Sequence, residues 1–284
     1  MHFLPKPLTN VSVADIYDAC ARSYTDPSLR TLLLSYSERI RAEADRYPIM
    51  VPGQIEAFLE EEGPDNDTAE KMAALYKKLS AGPRKKYRDA ILAQTTMDCC
   101  AICGRDHAAE TLDHYLPKSK VPTMAVAPIN LVPCCQKCNN AKGDTLLVKP
   151  DEALIHMYLD ELSEGNWLHA QIRFEQKPFV NFHVRCPEDW TDGDRFNRRL
   201  HNQMDVYDLY RRYSLYAASE LINLRNMWPS RYDRKNAADV LEYLHERRIA
   251  LEKGDRTQWL PALYRALEEQ VEEFCLWLTD PGGD

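Results

Sequence analysis

The chain has 284 residues, of which 44% are hydrophobic and 28% charged, and this composition is ordinary for a globular protein of about two domains. A net charge of −8 argues against a surface coated in basic charge for nucleic-acid binding. The sequence has no run of about 18 apolar residues and no start resembling a signal peptide, so we expect a cytoplasmic protein without a membrane partner.

The first 95 residues are predicted to be helical. Ser12 is placed to cap a helix through residues 13–24, with Asp15 at the capping-box position. An amphipathic segment follows, and then a helix that starts with the capping residue Asp67 and ends before a Gly-Pro step. These further helices are predicted at residues 31–47, 67–80 and 87–92.

Basic residues are concentrated in two stretches, although the whole chain is acidic. Residues 71–88 contain seven Lys or Arg and no acid, and residues 195–235 contain nine against four acids. A DNA backbone would respond to such local charge. The alternatives are a solvated helix face for the first stretch and ordinary helix packing for the tyrosines of the second. Because no sequence-reading motif is evident, we expect no stringent base specificity.

The pattern changes between residues 96 and 149 to short apolar pieces, paired cysteines and turns. Beyond it, residues 151–162 are predicted to be helical, alternation predicts a β-hairpin near residues 168–185, and the remainder is helical again. The expected fold class is therefore mainly α with a small α+β insert. The expected division is a helical N-terminal region (1–95), the insert (96–149) and a mostly helical C-terminal region (150–284).

Nine cysteines are many for a cytosolic protein, and six of them lie between residues 99 and 138. Four of them form two Cys-x-x-Cys pairs: Cys100, Cys103, Cys135 and Cys138. Two such pairs predict a tetrahedral zinc site, which would be structural because four thiolates leave no open coordination position. The alternatives are buried thiols, a redox pair, or a shifted register that uses Cys99 or Cys134.

Between the two pairs the sequence reads "LDHYLPKS", and "NLVPCCQKCNNAKGD" contains the second pair. These residues resemble the HNH endonuclease family, also called ββα-metal or His-metal finger nucleases. The resemblance covers residues 100–144. The family motif corresponds to Asp113-His114, to Asn130 before a leucine, and to Asn139, where many members carry histidine. It implies a ββα-metal module stapled by the four-cysteine zinc site.

The resemblance also implies a division of labour for phosphodiester hydrolysis. His114 would be the general base that activates water. Asp113 and Asn139 would hold a catalytic cation, and their oxygen atoms favour Mg²⁺ or Mn²⁺. Asn130 would hydrogen-bond the loop that presents His114. Because adjacent residues of a strand point to opposite faces, Asp113 and His114 are expected at a strand end.

Other polar residues of the insert have weaker expectations. Lys142 is the predicted phosphate contact, with Lys118 and Lys120 as secondary candidates. Asn139 is expected at the start of a helix, where capping that helix is its alternative role. His107 is expected in a loop. An Asp-His pair can also be an ordinary surface pair, so the catalytic interpretation depends on the surrounding motif.

We therefore expect a metal-dependent HNH endonuclease that cuts DNA, with double-stranded DNA as its substrate. The alternative is a catalytically silent zinc-knuckle module that binds nucleic acid or protein, and RNA stays open as a substrate. The chain has no phosphate-binding glycine loop, so we do not expect it to hydrolyse ATP. HNH modules with long helical flanks resemble bacterial defence or mobile-element effectors, which suggests a regulatory protein partner such as an ATPase or a sensor.

Overall fold

The computed structural model describes residue 4 and residues 12–59, 63–95, 98–162, 165–228 and 236–280. The chain forms two compact units, Met1–Asp160 and Glu161–Asp284. The described part of the chain is mostly helical and contains small antiparallel strand pairs, which confirms the coarse fold class. The predicted division into three regions stays a prediction.

The first unit begins with six helices and a 3-10 turn. They are α1 (Val13–Ala21), α2 (Pro27–Leu34), α3 (Ser37–Met50), α4 (Ile55–Leu59), α5 (Asn66–Leu79), the 3-10 turn Gly82–Arg84 and α6 (Lys85–Leu92). Ser12 caps α1 as predicted, because its Oγ accepts a hydrogen bond from the backbone N–H of Asp15 at 3.0 Å. Helix α5 starts earlier than predicted, because Asp65 caps it through the N–H of Thr68 at 3.0 Å.

The helix predicted over residues 31–47 is divided in the structure. Helix α2 ends at Leu34 and α3 begins at Ser37, whose Oγ donates to the Leu34 carbonyl at 2.8 Å and also contacts Asp18 of α1. The side chain thus satisfies a carbonyl at the end of α2 while it ties α3 to α1. Both α2 and α3 contact α1, and Leu33 of α2 and Tyr47 of α3 are buried.

The cysteine-rich segment folds as short strands and one helix. The elements are β1 (Cys99–Cys100), β2 (Gly104–Ala108), β3 (Thr111–His114), β4 (Leu131–Cys134) and α7 (Gln136–Lys142). Strand β3 pairs antiparallel with β4, with Thr111 opposite Cys134 and His114 opposite Leu131. Helix α7 follows β4 and contacts β3, which gives a ββα arrangement. His107 lies in β2, so its prediction as a loop residue was wrong.

The long connection between β3 and β4 contains two 3-10 helices, Pro122–Met124 and Pro128–Asn130. Helix α3 contacts both of them, and α5 contacts the first. The N-terminal helices therefore cover the connection that follows His114, and they belong to the same compact unit as the cysteine-rich segment.

The helix predicted at residues 151–162 is wrong, because this segment forms turns and irregular chain. Residues 153–158 are all buried, whereas a surface helix would bury one side only. Side chains take up backbone groups of this segment. The Leu154 carbonyl accepts from the Tyr115 hydroxyl at 2.7 Å, and the His156 N–H donates to the Asp160 carboxylate at 2.7 Å.

The second unit contains a β-hairpin and five helices within its described residues. They are β5 (Leu168–Arg173), β6 (Phe179–Val184), α8 (Gly193–Val206), α9 (Leu209–Met227), α10 (Ala237–Asp255), α11 (Trp259–Glu269) and α12 (Val271–Thr279). Strands β5 and β6 pair antiparallel, as predicted. The Gln270 side chain, between α11 and α12, pairs with both backbone groups of Ile172 at 3.1 Å.

Two tyrosines of the second basic stretch, Tyr213 and Tyr216, pack against Trp259 of α11 in this unit. Tyr213 is buried and stacks on Trp259 with a centroid distance of 6.5 Å, and Tyr216 lies 5.9 Å from the same ring. Helix packing, the alternative to base stacking, accounts for these side chains. Residues 229–235 of the stretch lie outside the described residues. None of the described helices is long and apolar enough to cross a membrane.

Candidate active site and metal centre

Strands β1 and β4 and helix α7 bring four cysteine side chains together. The sulfur atoms of Cys100, Cys103, Cys135 and Cys138 all lie within 4.8 Å of one another, and all four residues are buried. The Sγ atoms of Cys103 and Cys135 are 3.8 Å apart. A tetrahedral site with bonds of about 2.3 Å separates its ligand atoms by about 3.8 Å, so this spacing fits zinc. The four cysteines are those that the sequence predicted.

The electrostatics of these thiols also suit a cation. Hydrogen bonds from the neighbouring sulfurs, Cys100 first, lower the pKa of Cys135, while contacts with the same group raise the pKa values of Cys103 and Cys138. Thiolates this close together repel one another, so they can all ionise only around a cation. The cluster could therefore hold a metal such as zinc.

Asp113 and His114 are the last two residues of β3, where the sequence predicted a strand end. Both are buried, with exposed fractions of 3% and 6%. The Nε2 atom of His114 lies 2.8 Å from the Ala125 carbonyl. A carbonyl can only accept, so Nε2 carries the hydrogen and Nδ1 is the acceptor nitrogen. Burial lowers the pKa of His114 to about 4, which keeps the imidazole neutral at neutral pH.

Asn130 lies at the end of the β3–β4 connection and is fully buried. Its Nδ2 group donates to the carbonyls of Leu116 at 3.0 Å and Met124 at 3.1 Å, and its Oδ1 atom accepts from the Leu116 N–H at 2.7 Å. The Asn130 side-chain amide therefore links Leu116, at the start of the loop after β3, to Met124, the residue before Ala125. Asn130 thus makes the kind of loop contact that the resemblance implies.

Lys142 occupies a different position from the one predicted. Its side chain is completely buried, and its Nζ atom lies 3.4 Å from both carboxylate oxygens of Asp113. The same Nζ donates to the His114 carbonyl at 2.5 Å. A buried lysine that is paired with Asp113 is not available to an external phosphate, which is the contact predicted from the sequence. It compensates the charge of Asp113 inside the protein.

Asn139 lies inside α7, directly after Cys138, and is half-buried. The N-cap of this helix is Cys135, so Asn139 neither starts nor caps the helix, and that expectation was wrong. The loop after His114 carries the other two lysines. Lys118 is half-buried, with its Nζ 5.8 Å from the centre of the Tyr76 ring, and Lys120 is exposed.

Three residues near the site were missed from the sequence. Tyr76 of α5 presents its ring edge-on to His114 with a centroid distance of 4.5 Å, and its hydroxyl donates to the Leu112 carbonyl at 3.0 Å. Tyr47 and His156 lie on the other side of Asn130. Each belongs to a segment far from the motif in sequence, and no local pattern in the chain indicates these contacts.

Comparison with known proteins identifies the segment that contains this site. Residues 100–145 match the model of the HNH endonuclease family, which confirms the resemblance predicted over residues 100–144. Protein ea31 of Escherichia phage lambda is 33% identical over 150 residues, which are 51% of this chain and 50% of ea31. The chain thus spans about half the length of the curated relative it matches. No solved structure matches the chain.

Proposed function

We propose that this protein is a metal-dependent HNH endonuclease that hydrolyses phosphodiester bonds of double-stranded DNA. The family implies a nuclease-type function for residues 100–145. The observation that supports catalysis best is the hydrogen bond of His114. The Ala125 carbonyl accepts from its Nε2–H at 2.8 Å, so Nδ1 is the nitrogen that can accept a proton from water.

A hard divalent cation is proposed for the remaining polar groups of the motif. Asp113 and Asn139 would offer carboxylate and amide oxygens, which are the donors that Mg²⁺ or Mn²⁺ prefers. The cation would share the Asp113 carboxylate with Lys142, whose Nζ atom lies 3.4 Å from both carboxylate oxygens. When bound, the cation would neutralise charge on the scissile phosphate. The residues of the chain would orient the water, accept its proton at His114 and hold the loop around it. The four-cysteine cluster is proposed to hold structural zinc, which keeps α7 and β1 together.

The first basic stretch is proposed as the DNA backbone contact. Helix α5 lies beside the site, because Tyr76 contacts His114. Arg88 of helix α6 donates to the carbonyl of Glu110, the residue before β3, at 2.6 Å. Among the basic residues of these helices, Lys77, Lys85 and Lys86 are exposed, and Lys85 is paired with Asp89 at 3.5 Å. Lys118 and Lys120, on the loop after His114, would extend the same contact.

The cellular setting is a proposal that comes from the sequence. A defence or mobile-element role, control by a separate ATPase or sensor, and a cytoplasmic location all stay predictions. The local chemistry of the site does not depend on them.

The test is cleavage of supercoiled plasmid with Mg²⁺ or Mn²⁺ by the wild type and by His114→Ala. His183→Ala is the matched control, because His183 is exposed on β6 of the second unit. Zinc content is measured for all three proteins. We expect cleavage by the wild type and the control and its loss in His114→Ala. Equal cleavage by His114→Ala would refute the assignment of the base.

The same assay distinguishes the alternatives. A wild type that binds DNA and zinc but cuts nothing would favour the silent zinc-knuckle module. Faster cleavage of RNA than of DNA in a substrate panel would refute DNA as the substrate class. Dependence on Mg²⁺ or Mn²⁺, with no effect of added zinc, is expected because the two proposed metal sites differ in donor atoms.

A further inference from the structure

Three buried polar side chains from separate parts of the first unit meet behind the loop that follows His114. They are Tyr47 of α3, Asn130 and His156, and each is fully buried. The Tyr47 hydroxyl lies 2.8 Å from the Oδ1 atom of Asn130 and 3.2 Å from the Nε2 atom of His156. Buried polar groups are costly unless they are paired, so this arrangement constrains all three side chains.

The hydrogen bonds of this cluster have a defined direction. The N–H of Tyr158 donates to the Nδ1 atom of His156 at 3.3 Å, so the hydrogen of His156 is on Nε2. That Nε2–H therefore donates to the Tyr47 oxygen, and the Tyr47 hydroxyl donates to Asn130. Burial raises the pKa of Tyr47 well above its usual value, so the hydroxyl keeps its proton.

The direction fixes the orientation of the Asn130 amide. Its Oδ1 atom receives two donors, the Tyr47 hydroxyl and the Leu116 N–H, so its Nδ2 group must face the Leu116 and Met124 carbonyls. Met124 immediately precedes Ala125, whose carbonyl holds the Nε2–H of His114. A continuous chain of contacts thus runs from His156 to the imidazole.

We propose that Tyr47, oriented by His156, is a positioning residue that fixes the His114 imidazole through Asn130 and the Met124–Ala125 peptide. Neither Tyr47 nor His156 touches the reacting atoms in this role. The inference rests on the proposed function for its effect on cleavage. Its effect on the imidazole does not depend on cleavage and can be measured separately.

Tyr47→Phe is the sharpest variant, because it removes one oxygen and keeps the ring. The ring packs edge-on against Phe58 with a centroid distance of 6.0 Å, and this contact is retained. Tyr17→Phe is the matched control. Tyr17 is also fully buried in this unit, and its hydroxyl donates to the Leu33 carbonyl at 2.9 Å, away from the chain of contacts.

The first measurement is the histidine ¹H–¹⁵N spectrum of zinc-loaded, ¹⁵N-labelled protein, with the His114 signals assigned by their loss in His114→Ala. We expect the Nε2–H signal of His114 to shift or to exchange faster with water in Tyr47→Phe and to stay unchanged in Tyr17→Phe. An unchanged His114 signal in Tyr47→Phe would overturn the inference, whether or not the protein cuts DNA.

The second measurement is single-turnover plasmid cleavage at saturating metal. Misplacing a catalytic group by about 1 Å can cost about 100-fold in rate, so we expect Tyr47→Phe to lose about 10- to 100-fold in the cleavage step with little change in DNA affinity. His156→Gln should lower the rate in the wild type but not in Tyr47→Phe, because it acts through Tyr47. Additive losses, or an equal loss in Tyr17→Phe, would show a merely structural role.

These two measurements separate the possible failures. If the wild type cuts no DNA, the proposed function fails, and the spectrum still decides the positioning role. If the wild type cuts DNA and Tyr47→Phe keeps its full rate and its spectrum, the positioning role fails and the proposed function stands.

Discussion

Replacing Lys142 with methionine is expected to destabilise the first unit by about 3–5 kcal/mol, because it removes the positive charge that faces a buried carboxylate. The exposed fractions of the Lys142 and Asp113 side chains are 0% and 4%, and the Nζ–carboxylate distance is 3.4 Å. Methionine keeps most of the buried stem and removes the charge. The variant therefore tests the ion pair rather than a cavity.

The magnitude can be worked from that distance. Two unit charges 3.4 Å apart attract by about 5 kcal/mol at an effective dielectric constant of about 20. The His114 carbonyl also loses its donor at 2.5 Å, which adds about 1–3 kcal/mol if no water replaces it. Relaxation of the protein around the carboxylate offsets part of the sum of these two costs. The expected loss in unfolding free energy is therefore about 3–5 kcal/mol, the range found when one partner of a buried ion pair is removed.

The assay must report on the first unit. All five tryptophans of the chain, from Trp167 to Trp277, lie in the second unit, so their fluorescence does not follow the site. Hydrogen exchange of β3 and α7 in zinc-loaded protein, measured over a urea series, reports the local unfolding free energy. Lys137→Met is the control, because Lys137 is exposed on the same helix.

A second variant checks the mechanism of the loss. Asp113→Asn removes the carboxylate charge, so combining it with Lys142→Met should recover part of the stability that the single lysine variant loses. Equal stability of Lys142→Met and Lys137→Met would refute the argument that the pair is held in the interior. A double variant less stable than Lys142→Met alone would show that the cost comes from packing and not from the lost ion pair.

Two further predictions concern the metal cluster and the basic stretch. Cys103→Ser should release zinc and remove hydrogen-exchange protection from β1 and α7, while the tryptophan fluorescence transition stays unchanged. The control Cys186→Ser should keep both the zinc and the protection, because Cys186 lies outside the cluster. Replacing the exposed Lys77 and Lys86 with glutamine should lower the slope of log affinity for DNA against log salt by about 1 per lysine, and an unchanged slope would exclude both from the backbone contact.

The parts of the structure that could be predicted are those fixed by residues close together in sequence. Ser12 caps α1 through a residue three positions away, and alternation over residues 168–185 defines the hairpin of β5 and β6. The spacing within each Cys-x-x-Cys pair defines its half of the cluster, and the described residues bring the two halves together in one group of four sulfur atoms. The cap, the hairpin and each cysteine pair depend on interactions between residues that are close together in sequence.

The parts that could not be predicted depend on long-range burial. Residues 151–162 have a helical pattern, but tertiary partners such as Tyr115 take up backbone groups of the segment. From its local sequence, Lys142 was predicted to contact a phosphate. Its ion pair with Asp113 could not be predicted, because Asp113 is 29 positions away in sequence. Tyr47 reaches Asn130 across 83 positions. No pattern within a window of the sequence contains information on such contacts.

The four-cysteine cluster does not include the connection between β3 and β4, which follows His114. Four cysteines fix the ends of the segment, namely β1, the end of β4 and α7, but the connection between β3 and β4 lies outside those ends. A loop of that length keeps considerable conformational freedom unless other groups bind it. Here the groups come from α3, α5 and residues 153–158, through Tyr47, Tyr76 and His156. The residues that resemble a nuclease are proposed to supply the chemistry, and contacts that hold the loop after His114 come from parts of the chain outside the family motif.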